Sequence, residues 1–365
     1  MQSSNTTYIS AAYLSHTDQI YDITQMLNTI TINEDIFNMF LMGEVEIVDV
    51  NNHLEEWQIT DETWKFTFTF YCTKIGYETS LTFSVYSIQD IKKESDTKMS
   101  YKLMICSPEM LANMNIRISK GYSGTKTAIL SDIINRLKTT KPLLINADKN
   151  NSNLLVPKLH PTDAIDLLLL YNETTPDYVF WESFKGFNCK SITKMLMSDP
   201  AYKIYERNRD MADDKELLKN PNLMGSPEII INYSIPKMID VLSAMNDGYQ
   251  GATLFMYDPL VGNNTKYKIN DSYAENVHYI FHDNSLNYAN YLQRHKILSQ
   301  IDANQWNITT VGDFTRCAGD TVYISLLNSN QTPGIKSSYS GVFIITAIKH
   351  VFQKTSYIQN LKVSR

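Results

Sequence analysis

Cysteine is scarce and unpaired in this sequence of 365 residues. Cys72, Cys106, Cys189 and Cys317 are scattered, with no CxxC and no metal-ligand spacing. That argues against a disulfide framework at this length and leaves buried free thiols as the expectation. A block of Lys and Arg is also missing: 33 Lys+Arg stand against 39 Asp+Glu, for a net charge of −6. A protein that grips nucleic acid shows a basic stripe, because its affinity comes from neutralising phosphates. A mildly acidic chain instead permits DNA to pass without sticking. No run approaches the roughly 18 apolar residues of a membrane helix, so no membrane role is expected. The first seven residues lack the basic region and apolar core of a signal peptide, so synthesis in the cytoplasm is expected.

Catalytic signatures are lacking too. Neither GxSxG nor a Cys beside a credible His partner occurs. Gly121-Tyr122-Ser123-Gly124-Thr125-Lys126-Thr127 has the flavour of a P-loop, but only two residues separate its glycines where the phosphate cradle needs four. A turn that caps the next helix is the plainer expectation. His278 and His282 stand four apart, a zinc-binding spacing on a helix. Tyr279, Ile280 and Phe281 between them point to a strand, and no third ligand is evident. Acidic residues are numerous enough that some carboxylates meet in any fold, so glycosidase chemistry stays open. Nothing singles out a pair. No catalytic, cofactor-binding or metal-binding residue is therefore assigned, no cofactor is expected, and the chain is expected not to be an enzyme.

What is present is a strand pattern. Composition is 43% apolar with 23 Tyr and 14 Phe, too rich in aromatics for disorder and biased towards strands. Trp64, Phe66, Phe68 and Phe70 occupy every second position, with Lys65, Thr67 and Thr69 between them. Leu81, Phe83 and Val85 repeat the pattern after Gly76, Thr29 to Ile32 and Glu44 to Ile47 precede it, and Tyr101 to Cys106 closes the set. Such alternation puts one face in a core and one in a polar setting, as in a barrel or sandwich. A row of aromatics could also stack sugars or bases, although a barrel core explains it more simply.

After Ser107 the period changes. Ala128 or Ile129, with Ile133, Ile134 and Leu137, share a helical face, and Pro161-Thr162-Asp163 suits the start of a second helix. Tyr178 to Glu182, a turn at Lys185-Gly186, and Phe187 to Cys189 read as a hairpin. Charged residues between Glu206 and Lys219 read as a solvated connector. Strands return from Ile229 and again from Gly251 to Tyr257. Tyr288, Tyr291, Leu292, Leu298 and Ile301 have helical spacing. Val322, Ile324 and Leu326, then Gly341 to Thr346 and Tyr357 to Val363, end the chain as strands. One echo suggests duplication: Thr29 to Asp35, Gly43 and Glu44 to Asp49 parallel Ile230 to Tyr233, Asp240, Gly248 and Gly251 to Asp258.

The last third carries a resemblance. Residues 306–314, the Gly319-Asp320 turn, the strand from Gly341 through His350 to Phe352 and the closing strand from Tyr357 to Val363 resemble the C-terminal barrel of the baseplate hub family of contractile-tailed phages. Thr162 to Ile165, followed by Val179 to Glu182 and Gly186-Phe187, is similar to that family's helix and hairpin insert. Residues 23–41 are similar to its first barrel. The resemblance implies a β-rich α+β fold with two similar antiparallel β-barrel, tube-like domains. It divides the chain into a first barrel at 1–107, an α/β insert at 108–227, a second barrel at 228–265 and 305–365, and a smaller helical or irregular segment at 266–304.

It also implies a structural role in the virion tail baseplate. Three chains would form a homotrimeric hub between the tail tube protein above and the central spike protein below. The tape measure and baseplate wedge proteins would be further partners, and DNA would pass through the lumen without specific binding. Two other classes remain open: a tail-associated peptidoglycan or polysaccharide hydrolase, and a receptor- or glycan-binding tail module.

Overall fold

Period-two alternation marks Met42–Asp49, Lys65–Cys72 and Met99–Cys106 among the first seven strands. The computed structural model describes residues 7–59, 61, 63–72, 76–95, 97–146, 151–170, 177–206, 227–238, 252–258, 263–269, 276–281, 294, 297–298, 301, 304–326 and 339–365. The chain begins with β1 (Thr7–His16), β2 (Gln19–Asp22), β3 (Leu27–Asp35), β4 (Met42–Asp49), a short helix α1 (His53–Trp57), β5 (Lys65–Cys72), β6 (Tyr77–Lys93) and β7 (Met99–Cys106). These strands lie in the order β3-β4-β7-β6-β5-β1-β2, every pair antiparallel. Phe66, Phe68 and Phe70 are fully buried and Trp64 nearly so, and they pack with Ile30, Ile32, Val45 and Leu103 in one core. The alternation is therefore core packing, and the stacking-platform alternative fails because those rings never reach solvent. Strand β1 had no clear signal in the sequence: a bulge between Ile9 and Ala11 breaks its alternation.

The insert holds α2 (Pro108–Asn115), β8 (Ile118–Thr125), α3 (Lys126–Asn135), β9 (Leu143–Ile145), β10 (Asn151–Leu159), α4 (Pro161–Leu170), β11 (Tyr178–Ser183), β12 (Gly186–Ser191) and α5 (Ile192–Leu196). Its strands form a β8–β10 ribbon and a three-stranded sheet in the order β11-β12-β9. Ile129, Ile133 and Leu130 of α3 and Ile165 and Leu168 of α4 share a core with Phe180 and Phe187. The hairpin turns at Phe184 and Lys185, one residue before the expected Lys185-Gly186, and Gly186 already pairs with Ser183.

Six strands close the second barrel: β13 (Tyr202–Glu206), β14 (Ile229–Lys237) and, after three strands that belong elsewhere, β18 (Gln305–Val311), β19 (Thr321–Ser325), β20 (Gly341–Gln353) and β21 (Ser356–Ser364). The ring runs β19-β13-β14-β18-β21-β20, and pairing of β19 with β20 shuts it. Trp306, Phe343, Ile324, Leu361 and Val363 fill it.

Two features depart from expectation. Strand β13, expected in the insert, is a barrel strand and runs parallel to both neighbours, so this ring is not wholly antiparallel. The strands β15 (Ala252–Asp258), β16 (Asn263–Ile269) and β17 (Asn276–Phe281), of which 252–265 were expected in the barrel, form a separate sheet in the order β16-β15-β17. A closed ring leaves no strand edge free to admit them. The echo between 29–49 and 230–258 fails for the same reason: β3 pairs with β4, but β14 pairs with β13 and β18 and never with β15. Of the helix expected over 288–301, Leu298 and Ile301 are helical, while Tyr288, Tyr291 and Leu292 lie outside the described residues, as does most of the 206–219 connector.

The two barrels share one strand. Gly341 to Ile344 of β20 pair with β19, whereas Ala347 to Gln353 pair with β3. A bulge between Ile345 and Ala347 bends the strand from one barrel into the other. Ile9 N–H of β1 donates to Lys354 O at the β20–β21 turn, 3.3 Å away, and so brings the far side of the first barrel back towards the shared strand.

Candidate assembly interface

Because β20 belongs to both barrels, β18-β21-β20-β3-β4-β7-β6 form one uninterrupted sheet. Alternate side chains of each strand point away from the cores, and register lines them up in rows. One row reads Asn307, Lys362, Ala347, Asp35. The next reads Thr309, Asn360, Lys349, Asn33, Met42. A third carries Val351, Thr31, Glu44 and Met104. The result is a polar wall that spans both barrels.

Its charges are balanced. Lys102 reaches Glu44 at 3.4 Å and Asp90 at 3.3 Å. Asn28 donates to Glu46 at 2.7 Å. Burial pushes the Asp35 carboxyl up, while the Phe37 N–H it accepts and nearby Lys362 pull the other way. Lys102, Lys349 and Lys362 thus stand among Asp35, Glu44, Glu46 and Asp90, and the described residues of the wall form no basic stripe.

Behind this wall lies a joint that the sequence analysis did not single out. Glu34, His350 and Gln359 fall in the inward phase of β3, β20 and β21, and each is fully buried. Glu34 Oε1 accepts Phe184 N–H at 2.7 Å and Oε2 accepts Ala318 N–H at 2.8 Å, so one carboxylate ties the first barrel to the insert and to the β18–β19 loop. Gln359 Nε2 donates to Tyr357 Oη at 3.0 Å. The phenol also lies 2.7 Å from His350 Nδ1, in hydrogen-bond reach, and His350 Nε2 faces Glu34 Oε1 at 3.6 Å. Burial holds the Tyr357 hydroxyl well above its usual range. Trp181 Nε1 donates to Ala318 O at 3.1 Å, over Gly319. A polar residue in the inward phase of an apolar strand was the available signal for this joint.

A second buried cluster ties the insert to the end of the first barrel. Lys141 Nζ donates to Glu109 Oε2 at 2.6 Å and Glu182 Oε1 at 2.5 Å, and Glu182 Oε2 accepts Leu41 N–H at 3.1 Å. Burial pushes the Glu182 carboxyl up against the pull of Lys141. Burial acts on Glu109 in the same sense, but Lys141, Ser107 and Thr139 together outweigh it and hold that carboxyl below its ordinary value. Burial opposes charge on Lys141, yet its two carboxylates hold it above the usual lysine range.

The residues weighed for chemistry do not converge. Strand β8 runs to Thr125, and Gly121 and Gly124 pair with β10, so their backbone is committed to a ladder and not to a phosphate. Thr125 Oγ1 then accepts Ala128 N–H at 3.3 Å and caps α3, the turn-and-cap alternative. His278 lies on strand β17, where four-residue spacing does not put two side chains on one helical face; His282 lies outside the described residues. Among the described residues no group of three or more His, Cys, Asp or Glu gathers as a metal site. All four cysteines are buried, and burial pushes the Cys106 thiol up to about 11 and that of Cys189 up to about 12.

No protein-family model matches the sequence, and no curated protein matches it. The fold has counterparts among solved structures. The 43 kDa tail protein of prophage MuSo2 from Shewanella oneidensis aligns over 98% of both chains, with a TM-score of 0.59 at 10% identity. A tail protein from Neisseria meningitidis MC58 also gives 0.59, over 97% of this chain and 96% of that one, at 12% identity. The fold is that of phage tail proteins. A chain of the lidded Francisella PdpA-VgrG complex reaches 0.50 at 10% identity, over 99% of this chain and 53% of its own length. The two tail-protein alignments run over almost the whole chain, and so over both barrels and the insert.

Proposed function

We propose that this chain is a structural, non-enzymatic hub of a phage tail baseplate. Three copies surround a channel, the tail tube sits above and the central spike below. The observation that carries this reading is the polar wall: one sheet through both barrels, its side chains pointing away from both cores, with lysines and carboxylates in balance. Such a surface suits a channel lining, because DNA passing it finds no array of unpaired cations and so no gain from releasing its counterions. Glu34 and His350, the pair most like catalytic residues, are sealed in the joint and hold the barrels in register.

Electron microscopy of the assembled baseplate tests the proposal. Threefold rings with the β20–β3 wall lining the lumen are expected. Dimers or tetramers in the particle, or a wall turned outward, refute it. Peptidoglycan clearing by the purified chain, abolished by a single carboxylate substitution, would favour a hydrolase.

A further inference from the structure

The wall is not flat. Where β20 crosses between barrels, Ala347 takes the outward position between Lys362 on β21 and Asp35 on β3. Its methyl group leaves a hollow, which opens into a groove of about 560 Å³ reaching from Asn307 on β18 to Tyr86 on β6. Asn38 and Phe40 of the β3–β4 loop also line it. The groove crosses seven strands from end to end, so with six spacings of ~4.8 Å it extends on the order of 25–30 Å along the curved sheet.

Its chemistry is graded. Lys349 and Lys362 stand on adjacent strands beside the hollow, and Lys349 has no hydrogen bond or ion pair among the described residues. Asp35 offsets only one of these two ammonium groups. The side chains of Asn33 and Asn307 are equally uncommitted among the described residues, and offer both donors and acceptors. Towards the other end Glu44 is engaged by Lys102, and Met42 and Met104 supply an apolar floor. The strands beneath have spent their backbone groups on one another, so an occupant cannot join as an added strand and must be read by side chains.

We propose that this groove binds an extended segment of another protein. A carboxylate side chain sits in the Ala347 hollow against Lys349 and Lys362, and an apolar side chain three to four residues away rests on Met42 and Met104. The spacing follows from the sheet: Met42 and Met104 lie two and three strands from Ala347, or about 10–14 Å, which is three to four residues of extended chain. A nucleic acid strand fits poorly, because two lysines give no continuous basic stripe for successive phosphates and the far end is apolar. The inference rests on the groove alone and not on the threefold ring.

Fluorescence anisotropy of the full chain with a labelled eight-residue peptide tests it. The peptide carries one aspartate and, four positions on, one leucine in a glycine–serine background. Saturable binding is expected, weakened at least about tenfold by Lys349→Glu, by Ala347→Leu or by asparagine in place of the peptide's aspartate. Gln353→Ala, outside the groove on the same strand, should leave binding unchanged. The substituted side chains point away from both cores, and circular dichroism checks that the variants fold. No saturable binding at about 1 mM peptide, or undiminished binding to Ala347→Leu, overturns the proposal. So does self-association that Ala347→Leu abolishes, which would give the groove to a second copy.

Discussion

Replacing Glu34 with Ala should be among the most damaging single changes in this protein, although the residue touches no solvent. Its two oxygens accept Phe184 N–H at 2.7 Å and Ala318 N–H at 2.8 Å. Removing the carboxylate strands both donors in a dry joint, at about 1–3 kcal/mol each, and leaves His350 Nε2 without its facing charge. The loss is therefore about 3–6 kcal/mol, against a whole-chain stability on the order of 5–15 kcal/mol. Glu34→Gln keeps the shape and one acceptor oxygen but turns an NH2 towards the second donor, so about 1–3 kcal/mol is expected. Urea unfolding followed by tryptophan fluorescence reads this directly, since Trp181 packs at the joint. A Glu34→Ala protein within about 1 kcal/mol of the parent would refute the claim that this carboxylate clamps the barrels and insert together.

Lys141→Met leaves Glu109 and Glu182 buried without their ammonium and should cost about 3–5 kcal/mol at neutral pH. In the parent, the contribution of Glu109, held below its usual 4.5, is present above that value and lost as pH falls through the lower folded one. Glu182, pushed up by burial, contributes below its usual 4.5 and loses that contribution as pH rises through the raised value. Without Lys141 both carboxyls move up, so the variant's urea midpoint should fall from about pH 5 to about pH 8; a rising midpoint contradicts the assignment. Gly319→Ala should destabilise by about 2 kcal/mol or more, because φ is +86° there and the new Cβ would lie 2.2 Å from the Trp181 ring; an unchanged thermal midpoint would show that the loop yields freely. A chain stopped after Phe352 should be insoluble, since β21 fills the gap between β18 and β20 and carries Leu361 and Val363 into the core. Full solubility with unchanged melting would count against the shared-strand design.

Much of the fold was legible because its signals are local. Period-two alternation located β5, β7, β19 and β21, and a Pro-Thr start located α4. What alternation could not supply is partners. The run from Ala252 to Asp258 reads as a barrel strand, yet it pairs with β16 and β17. The short run at Tyr202 gave little signal, but the ring needs it between β14 and β19. Glu34, His350 and Gln359 were visible as polar residues in inward phase, without any hint that three distant segments would meet there.

The sequence by itself determined which residues face a core, where turns interrupt them, and that the chain carries no block of Lys and Arg. Tertiary structure alone decided that one strand serves two barrels, that the second barrel closes at six, and that a wall with a hollow at Ala347 runs across the seam. The physical reason is that burial preference is a property of each residue and its neighbours in the chain. Strand pairing is a competition among every free edge in the molecule, settled only when the ring shuts.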